Sequence, residues 1–163
     1  LYSRITGLVE KYGIEPYRLK LEITETAFVL DVKQQMELVK RLQKYGFIVE
    51  MDDFGSGYSS LNSLKDISVD VLKLDMKFFE RSADRERSSK IVSSMVTLAK
   101  SLETPVIAEG VEDLERIHFL QSVGCNLVQG YYYAKPMPVE EYETYMADKE
   151  SEDIRDLIHA LKK

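Results

Sequence analysis

The chain has 163 residues, 44% hydrophobic and 31% charged, enough for one domain with a sizeable core. Its net charge of −6 and the lack of any long basic run argue against a groove built to neutralise nucleic-acid phosphates. With two isolated histidines and one cysteine it offers little to a zinc site; hard carboxylates, and hence magnesium, manganese or calcium, are what the composition can serve.

No apolar run approaches a membrane span and no signal peptide opens the chain, so the expectation is a cytoplasmic protein without membrane, DNA or RNA contacts. Cys125, in an apolar setting, reads as a buried small hydrophobe, which fits a reducing compartment.

Residues 1–13 read as a helix already under way, with Ile5, Leu8, Val9 and Tyr12 as its apolar stripe and Gly13 as its stop. Nothing before Leu1 caps it, and the expectation is a fragment that begins inside a larger domain. Pro16 interrupts. Arg18 to Glu25 then alternates cleanly, Leu19, Leu21 and Ile23 on one face and Lys20, Glu22 and Thr24 on the other: a strand. Gln34 to Tyr45 has helical period, with Met36, Val39, Leu42 and Tyr45 inward and Gly46 ending it. Phe47 to Met51 is a second strand running into Asp52 and Asp53, and a short helical stretch spans Ser59 to Leu64.

Val69 to Asp75 is the third strand. Phe78 to Arg87 reads as a charged loop, and Ser88 to Leu102 as a helix with Ile91, Val92, Met95, Val96, Leu98, Ala99 and Leu102 on a broad apolar face. Pro105 to Val111 is a fourth strand. Asp113 caps a helix that buries Leu114, Ile117, Leu120 and Val123 and stops at Gly124. Leu127 to Gly130 is a short fifth strand, Pro138 opens a further helix, and Glu152 to Lys163 forms a charged terminal helix. The expected organisation is a barrel portion over 1–147 followed by the charged helix of 148–163.

Strand–helix alternation repeated five times implies a parallel sheet with helical crossovers. No Gly-x-Gly-x-x-Gly turn follows the first strand, which weakens a dinucleotide fold. Polar residues close every strand: Glu22 and Glu25, Asp52 and Asp53, Lys73 and Asp75, Glu109 and Glu112, then Gln129. That is the pattern of a (β/α) barrel, whose site is assembled from strand ends at one face. A full barrel needs eight units, so the fold class is α/β, an incomplete TIM-type barrel with about five βα units.

Each residue has a plainer reading. Asp, Gly and Ser at 52–60 could form a solvated turn, Glu22 could be a solvated strand residue, and Lys73 could pair with Asp75. Glu112 suits a helix start and Tyr131 to Tyr133 a packing layer. No histidine lies near Ser56, Ser59 or Ser60 in sequence, so a hydrolase triad has little support.

Taken in order, Leu21-Glu22-Ile23-Thr24-Glu25, Asp52-Asp53-Phe54-Gly55-Ser56-Gly57-Tyr58-Ser59-Ser60-Leu61, Leu72-Lys73-Leu74-Asp75, Glu109-Gly110-Val111-Glu112 and Gln129 to Pro136 resemble the successive motifs of the EAL-domain family, bacterial cyclic di-GMP phosphodiesterases. The resemblance runs from about Ile5 to Tyr145. It implies hydrolysis of one phosphodiester of cyclic di-GMP to linear pGpG with two divalent cations, Mg2+ or Mn2+. Two such ions can activate water and stabilise charge on the attacking and leaving oxygens. By that resemblance Glu22, Asp52 and Asp53 are metal ligands, Asp52 bridging. Lys73 holds the attacking water, Glu109 completes the second-metal environment, and Gln129 orients the water or a ligand. Glu25 steadies the loop of Phe54, Gly55, Ser56 and Gly57 that couples metal binding to dimerisation, and Tyr131 and Pro136 are candidates for substrate contact.

The sequence also departs from the family. It contains no Glu-Ala-Leu, the motif that names the family and supplies a metal ligand, and no Asn in the context of the second early ligand strand. The expectation is therefore a homo-oligomer-prone fragment of a bacterial signalling hydrolase, inactive by itself. The rivals are an EAL-like module that binds cyclic di-GMP or a protein without cleaving it, and an unrelated divalent-metal barrel of the enolase type.

Overall fold

Five strands pair in the order β1-β2-β3-β4-β5, every neighbouring pair parallel. They are β1 (Lys20–Thr24), β2 (Ile48–Phe54), β3 (Val71–Asp75), β4 (Val106–Glu109) and β5 (Leu127–Gln129). The order never reverses, so the sheet has no switch point of the doubly wound kind and winds in one direction, like an arc of a barrel. The computed structural model describes residues 1–55, 68–76 and 85–147. Ser56, Gly57, the expected 59–64 helix, most of the expected 78–87 loop and the 152–163 helix lie outside them.

Register sorts the side chains. Ile23 stands beside Met51, Met51 beside Leu72, and Leu74 beside Ala108, so these residues share the face toward the helices. Val49, Met51, Leu72, Leu74 and Ala108 are all buried there. Lys20, Glu22, Thr24, Glu50, Asp52, Lys73, Asp75, Glu109 and Gln129 fall on the other face by the same register. One side of the sheet is a hydrophobic core, and the opposite side carries the charge.

The helices are α1 (Tyr2–Tyr12), α2 (Glu25–Leu30), α3 (Val32–Tyr45), α4 (Arg85–Ser101) and α5 (Leu114–Ser122). Gly13 closes α1 and Gly46 closes α3 at left-handed φ of 62° and 111°, returning their N–H groups to the last turn. Asp31 and Asp113 cap α3 and α5 by accepting from the Gln34 and Arg116 amides.

Three readings need correction. α2 was not expected: Thr24 ends β1 and Glu25 opens a helix at once. Arg85, Glu86 and Arg87, inside the stretch read as a loop, belong to α4. The inward stripes were drawn too wide, since Leu8, Tyr12, Ile91, Leu102 and Leu114 are exposed, while Thr6 and Ser88 are buried. Helical period gives a stripe but not its edges, and small polar residues can close the ends of a buried face.

The chain divides into two compact units, Leu1–Tyr132 and Tyr133–Lys163. In the second, residues 139–147 are helical and the Tyr145 hydroxyl donates to the Tyr133 carbonyl at 3.3 Å. Among the described residues no helix is long and apolar enough to cross a membrane. Cys125 is buried, as expected; burial pushes its thiol up.

Candidate functional site

Lys73 is the centre of the charged face. It sits mid-strand in β3 with a side chain only 3% exposed, a position where an unpaired ammonium would cost several kcal/mol. Acids from three other strands of the sheet compensate it. Its Nζ lies 2.8 Å from Glu109 Oε1 on β4 and 3.7 Å from Asp52 Oδ1 on β2, and it donates to Glu22 Oε1 on β1. Burial alone would push the ammonium down, but the hydrogen bonds to Glu109 and Glu22 override it and hold Lys73 above its ordinary range. It is a fixed cation and a hydrogen-bond donor, not a base. The plainer pairing of Lys73 with Asp75 alone does not describe it.

The two aspartates reach the same face through a local irregularity. Met51 pairs with Leu72 and Phe54 with Leu74, so three residues of β2 advance while two of β3 do. Asp53 takes the extra step at φ 56°, a left-handed conformation that Asp tolerates better than most residues. Met51 and Phe54 are both buried on the helix side, and the two acids stand between them. A regular strand would have sent Asp53 to the helix side with Met51. The strand thus continues through the acid pair; it does not end there in a solvated turn. Burial, then the charges of Asp52 and Asp75, raise the Asp53 carboxyl. Burial also raises Glu109, against the pull of Lys73.

Glu25, 3% exposed at the start of α2, accepts from the Gly55 amide at 3.2 Å and so ties the end of β1 to the residue after the bulge. Its other oxygen has no hydrogen-bond partner among the described residues. Gln129 ends β5 beside Glu109 in register and is exposed. Tyr131 is half-exposed in the turn that follows. Pro136 lies in the second unit. A cavity of about 440 Å³ between α4 and α5, lined by Arg85, Ser88, Val92, Arg116 and Phe119 among others, includes none of the strand-end acids.

The family model of the EAL domain matches residues 1–136. The chain belongs to the EAL domain family. It is 36% identical over 145 residues to the cyclic di-GMP phosphodiesterase RocR of Pseudomonas aeruginosa, covering 89% of this chain and 37% of RocR. Its fold matches the PaMucR phosphodiesterase in a c-di-GMP complex at TM-score 0.80 and 34% identity, over 87% of this chain and 57% of that one. A manganese/cy-diGMP complex of Klebsiella pneumoniae BlrP1 matches at TM-score 0.74 and 33% identity, over 83% and 34%. The solved neighbours are EAL domains of the TIM-barrel type, and the single-direction sheet is an arc of such a barrel. The chain spans well under half the length of the first curated relatives it matches, 37% in the case of RocR.

Within this EAL domain, Glu22, Asp52, Asp53 and Glu109 offer hard oxygen donors close to one another, and Asp53 is raised first by burial and then by the neighbouring charges of Asp52 and Asp75. That donor chemistry fits magnesium or manganese in kind. Among the described residues, however, no three acids, histidines or cysteines are grouped to hold an ion; Glu22, Asp52 and Glu109 turn onto the Lys73 ammonium. Sequence reasoning missed Glu50. It is buried on the charged face two residues before Asp52, 3.0 Å from Lys20 Nζ. The signal was available, since alternation back from Asp52 puts a second acid on the same side of β2.

Proposed function

We propose that this EAL chain carries part of the catalytic face of a divalent-cation-dependent phosphodiesterase that opens cyclic di-GMP to linear pGpG. The carrying observation is the buried Lys73 ammonium between Glu22, Asp52 and Glu109 on one face of the parallel sheet. Relatives and neighbours that are cyclic di-GMP phosphodiesterases or c-di-GMP complexes support the substrate. Glu22, Asp52 and Asp53 would hold Mg2+ or Mn2+, which when bound would stabilise negative charge on the phosphodiester and make water a stronger acid.

The chain's own residues supply the rest. Lys73, held charged, donates to the attacking water and stabilises charge as it develops. Glu109 holds Lys73 from the opposite side, so the ammonium does not swing toward Glu22 alone. Gln129, next to Glu109 in register, orients the water by its amide. The Glu25 bond to Gly55 fixes the residues leaving the bulge, through which cation binding would be coupled to a homo-oligomer contact. Residues 1–147 would form the barrel portion and 148–163 an appended helix, in a cytoplasmic protein.

The sequence lacks Glu-Ala-Leu, so the pure chain should turn over little or no substrate. The acids' convergence on Lys73 also favours a second reading, a module that binds cyclic di-GMP without cleaving it. Chromatography of cyclic di-GMP incubated with the chain, and with a longer EAL domain carrying these residues, in Mn2+ separates the two. Release of pGpG by the longer domain, lost in Lys73→Met, supports the enzyme. Binding to both without pGpG from either establishes the module.

A further inference from the structure

Glu50 has no place in the reading above, yet a carboxylate 2% exposed on the charged face is an expensive thing to keep. It stands beside Glu22 in register, and Lys20 lies two residues before Glu22 on the same face. The Lys20 ammonium, on a side chain 53% exposed, could turn to either acid, since long side chains on one sheet face reach across such spacings. It is drawn to Glu50, 3.0 Å away, while Glu22 is left to Lys73. The contact is an ion pair without hydrogen-bond alignment, for Glu50 Oε1 is buried and has no hydrogen-bond partner among the described residues. What Glu50 offers Lys20 is therefore charge and place.

We propose that Glu50 is a positioning residue that holds the Lys20 ammonium away from Glu22, keeping that carboxylate available at the site. Without Glu50, the nearest remaining acid for Lys20 on its own strand is Glu22, and a second ammonium there neutralises the oxygen a divalent cation needs. The consequence for cations rests on the reading of Glu22 as a metal ligand; the placement of Lys20 does not.

The test has a metal-free and a metal-bound readout on the whole chain. In protein labelled with 13C at glutamate carboxyls, Glu50→Gln should shift the Glu22 signal, and adding Lys20→Met should return it. Mn2+ affinity, read from the free-ion EPR signal, should fall about 10-fold in Glu50→Gln and recover in the double variant. Exchanging the two charges (Lys20→Glu with Glu50→Lys) preserves an ion pair but puts an ammonium at the register position beside Glu22. It should weaken Mn2+ binding as well, because the ammonium at that position faces Glu22 directly. That exchange also serves if Glu50→Gln does not fold. An unmoved Glu22 signal in Glu50→Gln, or in the exchanged pair if Glu50→Gln does not fold, overturns the proposal. Absence of Mn2+ binding by the wild type overturns the metal reading instead, and the carboxyl signal still decides the role of Glu50.

Discussion

At the scale of single residues, Lys73 shows how a costly group is made tolerable. Its ammonium is buried, and acids on three other strands neutralise it. Replacing it with Met of similar length would leave Glu109 and Asp52 repelling each other in a partly desolvated site. Lys73→Met should therefore lower stability at neutral pH by about 2–3 kcal/mol, below the cost of a fully buried broken pair because Glu22 is half-exposed. The pH dependence has a definite sign. The folded chain holds Lys73 above its ordinary value of 10.5, so its contribution is complete below that pH and disappears as pH rises through the folded value. Urea midpoints of wild type and variant should stay apart at pH 8 and begin to approach each other above about pH 10.5; a constant gap would mean Lys73 is not the cation described. Asp53 has the opposite effect. Its carboxyl is raised by burial and by Asp52 and Asp75, so ionising it opposes folding at any pH above its folded value. Asn accepts the left-handed φ of 56° as readily and carries no charge. Without divalent cations, Asp53→Asn should raise Tm at pH 7, with the gain vanishing near pH 3; calorimetry at the two pH values checks it.

At the scale of elements, close backbone approach governs where Gln129 ends up. A Cβ on Gly130 would stand 2.0 Å from the Val111 carbonyl oxygen and 2.4 Å from its nitrogen. Those same Val111 groups bond the Gln129 carbonyl at 3.3 Å and the Tyr132 amide at 3.1 Å, joining the end of β5 to the residues after β4. Backbone cannot yield as a side-chain tip does. Gly130→Ala should cost about 1–3 kcal/mol and pull Gln129 out of register with Glu109. Loss of the Gln129–Glu109 proximity in NMR spectra of the variant would show it, and an unchanged fold would refute the constraint. This contact was invisible in the sequence, where Gly130 reads as the end of a strand. The strands themselves were legible because one face of each is apolar and the other polar, as at Leu21, Glu22 and Ile23. Glu22, Asp52, Lys73 and Glu109 were legible as strand-end polars, and the structure brings them together at Lys73. The bulge was not, because a positive φ at Asp53 leaves no mark in a pattern of period two. α2 was not either, since Thr-Glu-Thr-Ala carries no periodic stripe long enough to announce a helix.

At the scale of the whole molecule, two features oppose each other. Among the described residues β1 and β5 each pair on one side only, which leaves two edges of a parallel sheet available to another strand. Leu8, Tyr12, Tyr17 and Leu127 add exposed apolar surface in the same unit. Both features favour self-association. The net charge of −6 works against it, because like-charged copies repel at low ionic strength. Salt decides between the two. Screening weakens repulsion within a Debye length of about 8 Å at physiological ionic strength but leaves edge pairing and apolar burial intact. Sedimentation velocity should therefore show a larger associated fraction as protein concentration rises, and a further increase when salt is added. A purely monomeric boundary throughout would mean the edges are protected. Association that salt disperses would mean the contact is made by charge, with Lys and Arg of one copy meeting the acidic surface of the next.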